Sequence, residues 1–357
     1  MKKPIILKSA FVRAVFRLNS SLSAVLSLFR CSQETHSPGS NNHGCLTLHP
    51  AKNADERKAK SLKPTLPTVF SKVTSYIELC KIPIALLSAF SATTGFLLAA
   101  TELRSQIIIL VLGVFLLACG SSALNQYQER ETDAAMPRTS NRPLPTRRIR
   151  PINALCFSLV LLSSGLSALL LTRVLSASLL GLLAVAWYNG VYTFLKRKTA
   201  FAVVPGALIG AIPPAIGWLT GGGAGLDPKL LMLCFFFFIW QVPHAWLHIM
   251  TYGQEYEQAG LPSLTTIFNA LQMKRIIFNW IFATTVSCLF LSATGLVHYF
   301  FINMALLALS SWLVWSGIMP ILRNSTVEIP FRIFKKTNYY LLIVMLLLSA
   351  DKLLMLS

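Results

Sequence analysis

The 357-residue sequence predicts an all-α, polytopic membrane protein with nine transmembrane helices, and three observations carry that reading. Hydrophobic residues make up 54% of the chain and charged residues 13%, about half the roughly 25% that a water-facing surface carries. Mean hydropathy is +0.60, too high over this length for disorder, a coiled coil or a nucleic-acid binder, although the formal net charge is +19. The apolar residues also fall into runs of about 20, the length that crosses a ~30 Å hydrocarbon core.

Residues 1–66 stand apart. Residues 1–33 hold six Lys and Arg and no acid, and residues 34–66 are rich in Ser, Pro, Asn, His and Lys. They read as a basic, mostly disordered tail or targeting segment ahead of a membrane domain at 67–357. The spans expected from hydropathy are 82–101, 105–124, 152–171, 174–194, 201–219, 230–250, 276–297, 299–319 and 338–357. None alternates with period two, so barrel strands are excluded. The loops after the second, fourth, sixth and eighth spans hold fifteen Lys and Arg, against Arg104, Arg173 and Lys229 on the other side. This asymmetry places the even-numbered loops inside. A bacterial cytoplasmic membrane is favoured over a mitochondrial inner membrane, with the active side facing cytoplasm or matrix. The seven cysteines show no C-x-x-C spacing, so neither a disulfide framework nor a zinc knuckle is expected.

The scarce acids point to chemistry. Asn125, Glu129 and Asp133 sit at the inner end of the second span; if that helix continues, they rise about 6 Å per step on one side. Three such oxygen donors suit Mg²⁺, which shares a few carboxylates with substrate phosphates. A solvated helix end with Glu–Arg pairs would read the same way. Arg138, Arg142, Lys196 and Arg197 follow in inner loops and would complete a clamp for a diphosphate, although topogenic charge also explains basic loops. In the sixth span, Gln241, His244 and His248 are costly in lipid unless they face a cavity or a ligand. Interfacial histidines are the other explanation. His-x-x-x-His lacks the Glu of a zinc protease, with Ala245 in its place. Pro243 is expected to open this span, and the Pro213–Pro214 pair to break the fifth near its outer half. Gly206, Gly210 and Gly217 read as close-packing positions.

Four segments together resemble the UbiA-type intramembrane prenyltransferases, over about residues 75–355, and within them the branch that farnesylates haem. They are Asn125-x3-Glu129-Arg130-x2-Asp133-x2-Met136-x-Arg138-Thr139-x2-Arg142-Pro143-Leu144, Tyr192-Thr193-x2-Leu195-Lys196-Arg197-x-Thr199, Pro213-Pro214-x2-Gly217-Trp218 and Trp240-Gln241-x-Pro243-His244. The resemblance implies transfer of a farnesyl group from farnesyl diphosphate to a vinyl group of protohaem IX (haem B), giving haem O and diphosphate. It implies nine helices around a central cavity, with Mg²⁺ held there by Asn125, Glu129 and Asp133, and Glu255 on the other face. Arg138, Arg142, Lys196 and Arg197 would neutralise the leaving group. Tyr127, Gln241, His244, His248 and Tyr256 would contact substrate, with His244 a candidate ligand to the haem iron. The implied partners are the two substrates, the lipid bilayer and downstream haem A synthesis or terminal oxidase assembly proteins; no nucleic acid is expected. The chain departs from the family pattern at Glu129 and Glu255, where Asp is usual, at Ala245, and after Thr199, where an Asn is missing. Prenylation of a quinone precursor or a chlorophyllide, or a transporter with midplane polar residues, are the competing functions.

Overall fold

A computed structural model describes residues 69–322 and 329–356, so the tail at 1–66 and its boundary with the membrane domain lie outside the described residues. A helix precedes the expected spans: α1, Val69–Cys80. It meets α2, Ile82–Ala99, at the single residue Lys81, whose φ of 47° and ψ of 55° lie in the left-handed region. A non-glycine residue occupies that region at a cost of about 1–3 kcal/mol and tends to mark a functional position. Pro83 in the first turn of α2 suits a helix start, where its missing N–H costs nothing.

Eight more long helices follow: α3 Gln106–Ala135, α4 Pro151–Leu171, α5 Leu175–Leu195, α6 Ala200–Thr220, α7 Pro228–Thr251, α9 Ala270–Ala293, α10 Phe300–Leu322 and α11 Ile329–Leu356. The short α8, Gly253–Gln258, lies between α7 and α9. With α2, nine helices among the described residues are long and apolar enough to cross a membrane, and no strand occurs among those residues. The chain is a multi-pass integral membrane protein. Its lipid-facing surface is visible on α4, where Ile152, Leu159, Val160, Leu170 and Leu171 are all exposed.

Neighbouring helices pack in chain order through α7; α9 then returns to α7, and α11 packs against α7, α10 and α2, closing the circuit. The tightest approach joins α2 to α6. A Cβ on Gly217 would collide with the carbonyl of Ala92, and one on Gly95 with the carbonyl of Pro214. Small residues here let two backbones touch, as expected for helices that associate in lipid without hydrophobic driving force. Phe236 and Phe237 are buried in the larger core, whereas Phe235 is exposed.

Two expectations about proline fail. α6 stays helical from Leu208 to Thr220 through Pro213 and Pro214. Its irregularity lies one turn earlier, at Ala207, whose N–H is shared between the carbonyls of Val203 and Val204. Pro243 likewise sits inside an unbroken α7. Packing against adjacent helices offsets the local penalty, and both segments stay helical. α5 carries the distortion instead. Residues Ala186–Tyr192 form a π-helical stretch, a type of bulge frequent at functional sites.

Candidate functional site

The site is built around the last three turns of α3, which extends to Ala135 and so keeps Asn125, Glu129 and Asp133 on one helix face. All three are buried, with 2%, 6% and 2% exposure. Each is met by a different segment. Asn125 Nδ2 donates to Thr193 Oγ1 on α5 at 3.1 Å, leaving its carbonyl oxygen free. Lys196 Nζ donates to Glu129 at 2.7 Å, brought there just past the π-helical stretch of α5. Arg142 Nη1 lies 2.7 Å from both oxygens of Asp133. The loop that carries Arg142 is pinned by Thr139, whose hydroxyl donates to the Asp133 carbonyl at 2.8 Å.

Two further cations stand at the same mouth. Arg138 lays its guanidinium 4.7 Å from the centre of the Tyr252 ring, and its buried Nε has no hydrogen-bond partner. Its backbone N–H donates to Glu255 on α8 at 3.0 Å, which ties the third carboxylate to the loop. Lys81, between α1 and α2, makes no ion pair with any of the described residues; its charge interacts with Arg142, Lys196, Glu129 and Asp133. Burial, then the positive charges of Arg142 and Lys196, push its pKa down to about 7. Burial acts the same way on Lys196, but the Glu129 carboxylate outweighs it and holds that pKa above the ordinary value. Lys81, Arg142 and Lys196 thus face two buried carboxylates, with Arg138 beside Glu255, so that among the described residues four cations meet three carboxylates and positive charge is in excess. Such an excess beside unsatisfied donors is what a polyanionic ligand would neutralise.

The donor set fits a hard cation. Among the described residues no three His, Cys, Asp or Glu side chains form a metal cluster by themselves. Two carboxylates and one free amide oxygen on a single helix face nevertheless suit Mg²⁺, which takes its remaining ligands from phosphate and water.

A second, aromatic region adjoins this one. His244 stacks on Trp240 with ring centroids 4.7 Å apart, and Phe334 of α11 closes its other face at 4.9 Å. His248, one turn on, contacts Phe334 and Tyr252. His248 lies within electrostatic reach of His244 and of Arg138, Lys81 and Arg142, so the two regions are continuous. Gln241 lies against Gly210, where a Cβ would come within 3.0 Å of its Oε1. Tyr256 on α8 is within electrostatic reach of Lys196.

Not every expected residue gathers here. Tyr127, two residues after Asn125, lies on the far side of α3, packed with Tyr76 and Phe157 around Leu79, Leu144 and Ile149 and covered by Arg130. A two-residue offset turns a side chain through about 200° on a helix. A recess of about 390 Å³ lined by Arg130, Glu131, Leu144, Arg147 and Arg150 opens on that same far side. Arg197 donates to the Gln128 carbonyl at 2.7 Å and pairs with no carboxylate among the described residues. Lys81 and Asn338, whose Oδ1 lies 2.6 Å from His244 Nδ1, are the residues that sequence reasoning passed over. Lys81 is one basic residue among many near the N-terminus, and the last span was placed to begin at Asn338 itself.

The profile of the UbiA prenyltransferase family matches residues 82–334. The chain is 39% identical over 214 residues to the protoheme IX farnesyltransferase of Geobacter sulfurreducens, covering 60% of this chain and 79% of that one. It is 34% identical to the protoheme IX farnesyltransferase of Oleidesulfovibrio alaskensis, covering 77% of this chain and 95% of that one. Among solved structures, a UbiA homologue from Aeropyrum pernix K1 superposes with a TM-score of 0.62 at 16% identity, covering 77% and 98% of the two chains. A UbiA homologue from Archaeoglobus fulgidus bound to GPP and Mg²⁺ gives 0.54 at 13% identity, covering 78% and 99%.

Proposed function

The chain belongs to the UbiA prenyltransferase family and is a prenyltransferase; from that premise we propose that it transfers the farnesyl group of farnesyl diphosphate to a vinyl group of protohaem IX, giving haem O and diphosphate. The observation that carries the reading is the pairing of two continuous regions: a surplus of half-buried cations around α3, and an imidazole between aromatic rings on α7 and α11. Its relatives at 34–39% identity are protoheme IX farnesyltransferases.

In this scheme the allylic C–O bond breaks heterolytically and the diphosphate leaves with the electron pair. Arg142, Lys196, Arg138 and Lys81 receive the charge that develops on it, and Arg197 adds to the field from the rim. Asn125, Glu129 and Asp133, with Glu255 from α8, would hold Mg²⁺, which supplies further positive charge to the phosphate oxygens. The terminal vinyl carbon of haem attacks the allylic cation. The cation left beside the porphyrin takes up water and loses a proton, giving the hydroxyethylfarnesyl side chain. Gln241, His244, His248 and Tyr256 bound the acceptor, with Nε2 of His244 a ligand for the substrate iron. The diphosphate site faces the cytoplasm or matrix, and the product passes to the enzymes of haem A synthesis and terminal oxidase assembly.

The test is incubation of membranes carrying the chain with haem B and farnesyl diphosphate, with and without Mg²⁺. Mg²⁺-dependent haem O, identified by mass spectrometry, is expected. Prenylation of a quinone precursor or chlorophyllide in place of haem would overturn the choice of acceptor. Activity without any divalent cation would overturn the metal site.

A further inference from the structure

The contact between α7 and α11 fixes more than the position of His244. Asn338 Oδ1 lies 2.6 Å from His244 Nδ1, a pair 94 residues apart in sequence. A contact that short suits N–H donating to a carbonyl oxygen and is too close for two nitrogens, so Nδ1 carries the proton. Nε2 is then the unprotonated nitrogen, and none of the described residues hydrogen-bonds it. The ring has little freedom to leave this geometry. Trp240 stacks on one side at 4.7 Å and Phe334 on the other at 4.9 Å. One turn earlier on α7, Trp240 Nε1 donates to the Thr337 carbonyl at 2.9 Å, so the two helices are tied at adjacent residues of α11. Phe334, Thr337 and Asn338 share one face of α11, and Trp240, His244 and His248 one face of α7. His244 is only half-buried, so the free nitrogen is not sealed inside protein.

We infer that Asn338 is a positioning residue: it holds His244 as the Nδ1–H tautomer, so that Nε2 presents its lone pair to the iron of the acceptor porphyrin. Residues that orient a metal-binding imidazole through its other nitrogen also set its basicity, and losing such a partner typically weakens binding about 10–100-fold. The inference rests on haem being the acceptor and on His244 touching it. It adds a residue from the last helix, and it explains why a polar side chain stands at that depth of α11 when a hydrocarbon side chain would be cheaper in lipid.

Resonance Raman spectroscopy of ferrous haem B bound to the full chain in nanodiscs separates the possibilities through the iron–imidazole stretch. Asn338→Asp keeps the oxygen acceptor and makes it anionic; the stretch is expected to move to higher frequency. Asn338→Leu removes the acceptor; haem affinity is expected to fall about tenfold and the band to broaden or disappear. His244→Ala is expected to abolish the band. If His244→Ala abolishes it while both Asn338 variants leave frequency and affinity unchanged, Asn338 does not position the ring, and the acceptor reading stands. If His244→Ala leaves the wild-type band, His244 is not the ligand and the positioning inference falls, while haem bound through another residue leaves the acceptor reading standing. Asn338→Asp is nearly isosteric, so it remains informative where the leucine variant does not fold.

Discussion

Two buried carboxylate centres stand at opposite ends of the helices, and they resolve in opposite ways. Asp351, near the C-terminal end of α11, is fully buried and accepts from the backbone N–H groups of His298 and Tyr299 and from His298 Nδ1, at 2.9–3.1 Å. Its partners are largely backbone, fixed in place, and they cap the start of α10. At the C-terminal end of α3, Glu129 and Asp133 are nearly as deeply buried, but their partners are long cationic side chains, with Lys81 and Arg138 left over. Burial of a carboxylate therefore does not identify a site. The distinguishing mark is whether its partners are saturated and rigid, or exchangeable and in excess.

The largest expected effects break this comparison from both sides. Asp133→Asn should lower kcat/KM for farnesyl transfer by about 10²-fold or more, the scale of losing a group that organises transition-state charge. Its thermal stability in detergent should stay close to wild type, since the amide still accepts from Arg142. Asp351→Ala should do the reverse. It strands the donors that cap α10 and should cost about 2–3 kcal/mol of stability, while kcat/KM of the folded fraction is unchanged. Loss of activity in the second variant without loss of stability would erase the distinction.

A smaller effect sharpens the inner site. Lys81 has its pKa lowered to about 7 by burial and by Arg142 and Lys196. It is protonated below that pH and neutral above it, so an anion at the site gains a charged partner as pH falls. Diphosphate affinity should therefore weaken on going from pH 6 to pH 8, by about tenfold for one charge interaction of about 1.4 kcal/mol. Lys81→Met should flatten the profile, and isothermal titration in two buffers of different ionisation enthalpy should show proton uptake that disappears in the variant. A profile unchanged by Lys81→Met would remove Lys81 from the site. Smallest of all, Tyr127→Phe should leave kcat and KM within about twofold of wild type, because this side chain packs on the far face of α3.

How much of this was legible in sequence follows from the range of the interactions. Span number is set by hydrocarbon thickness, a local property, and nine spans could be counted from hydropathy. Their ends could not. α3 runs on to Ala135, α9 starts at Ala270 and α11 at Ile329, because apolar character stops at the membrane interface while backbone hydrogen bonding does not. Asn125, Glu129 and Asp133 were readable because one helix aligns them. Lys81 was hidden because its role depends on a left-handed residue swinging it toward α3, and Asn338 because its partner is 94 residues away. The proline pair misled for the same reason: chain-local penalties were overridden by the α2–α6 contact.

The most direct measurement of the central claim is binding of farnesyl thiolodiphosphate, which cannot ionise readily, to the purified chain in nanodiscs with Mg²⁺. Wild type and Asp351→Asn are expected to bind alike, and Asp133→Asn to lose most of its affinity. Equal binding by all three would contradict the assignment of the inner carboxylates and their surplus cations to the diphosphate.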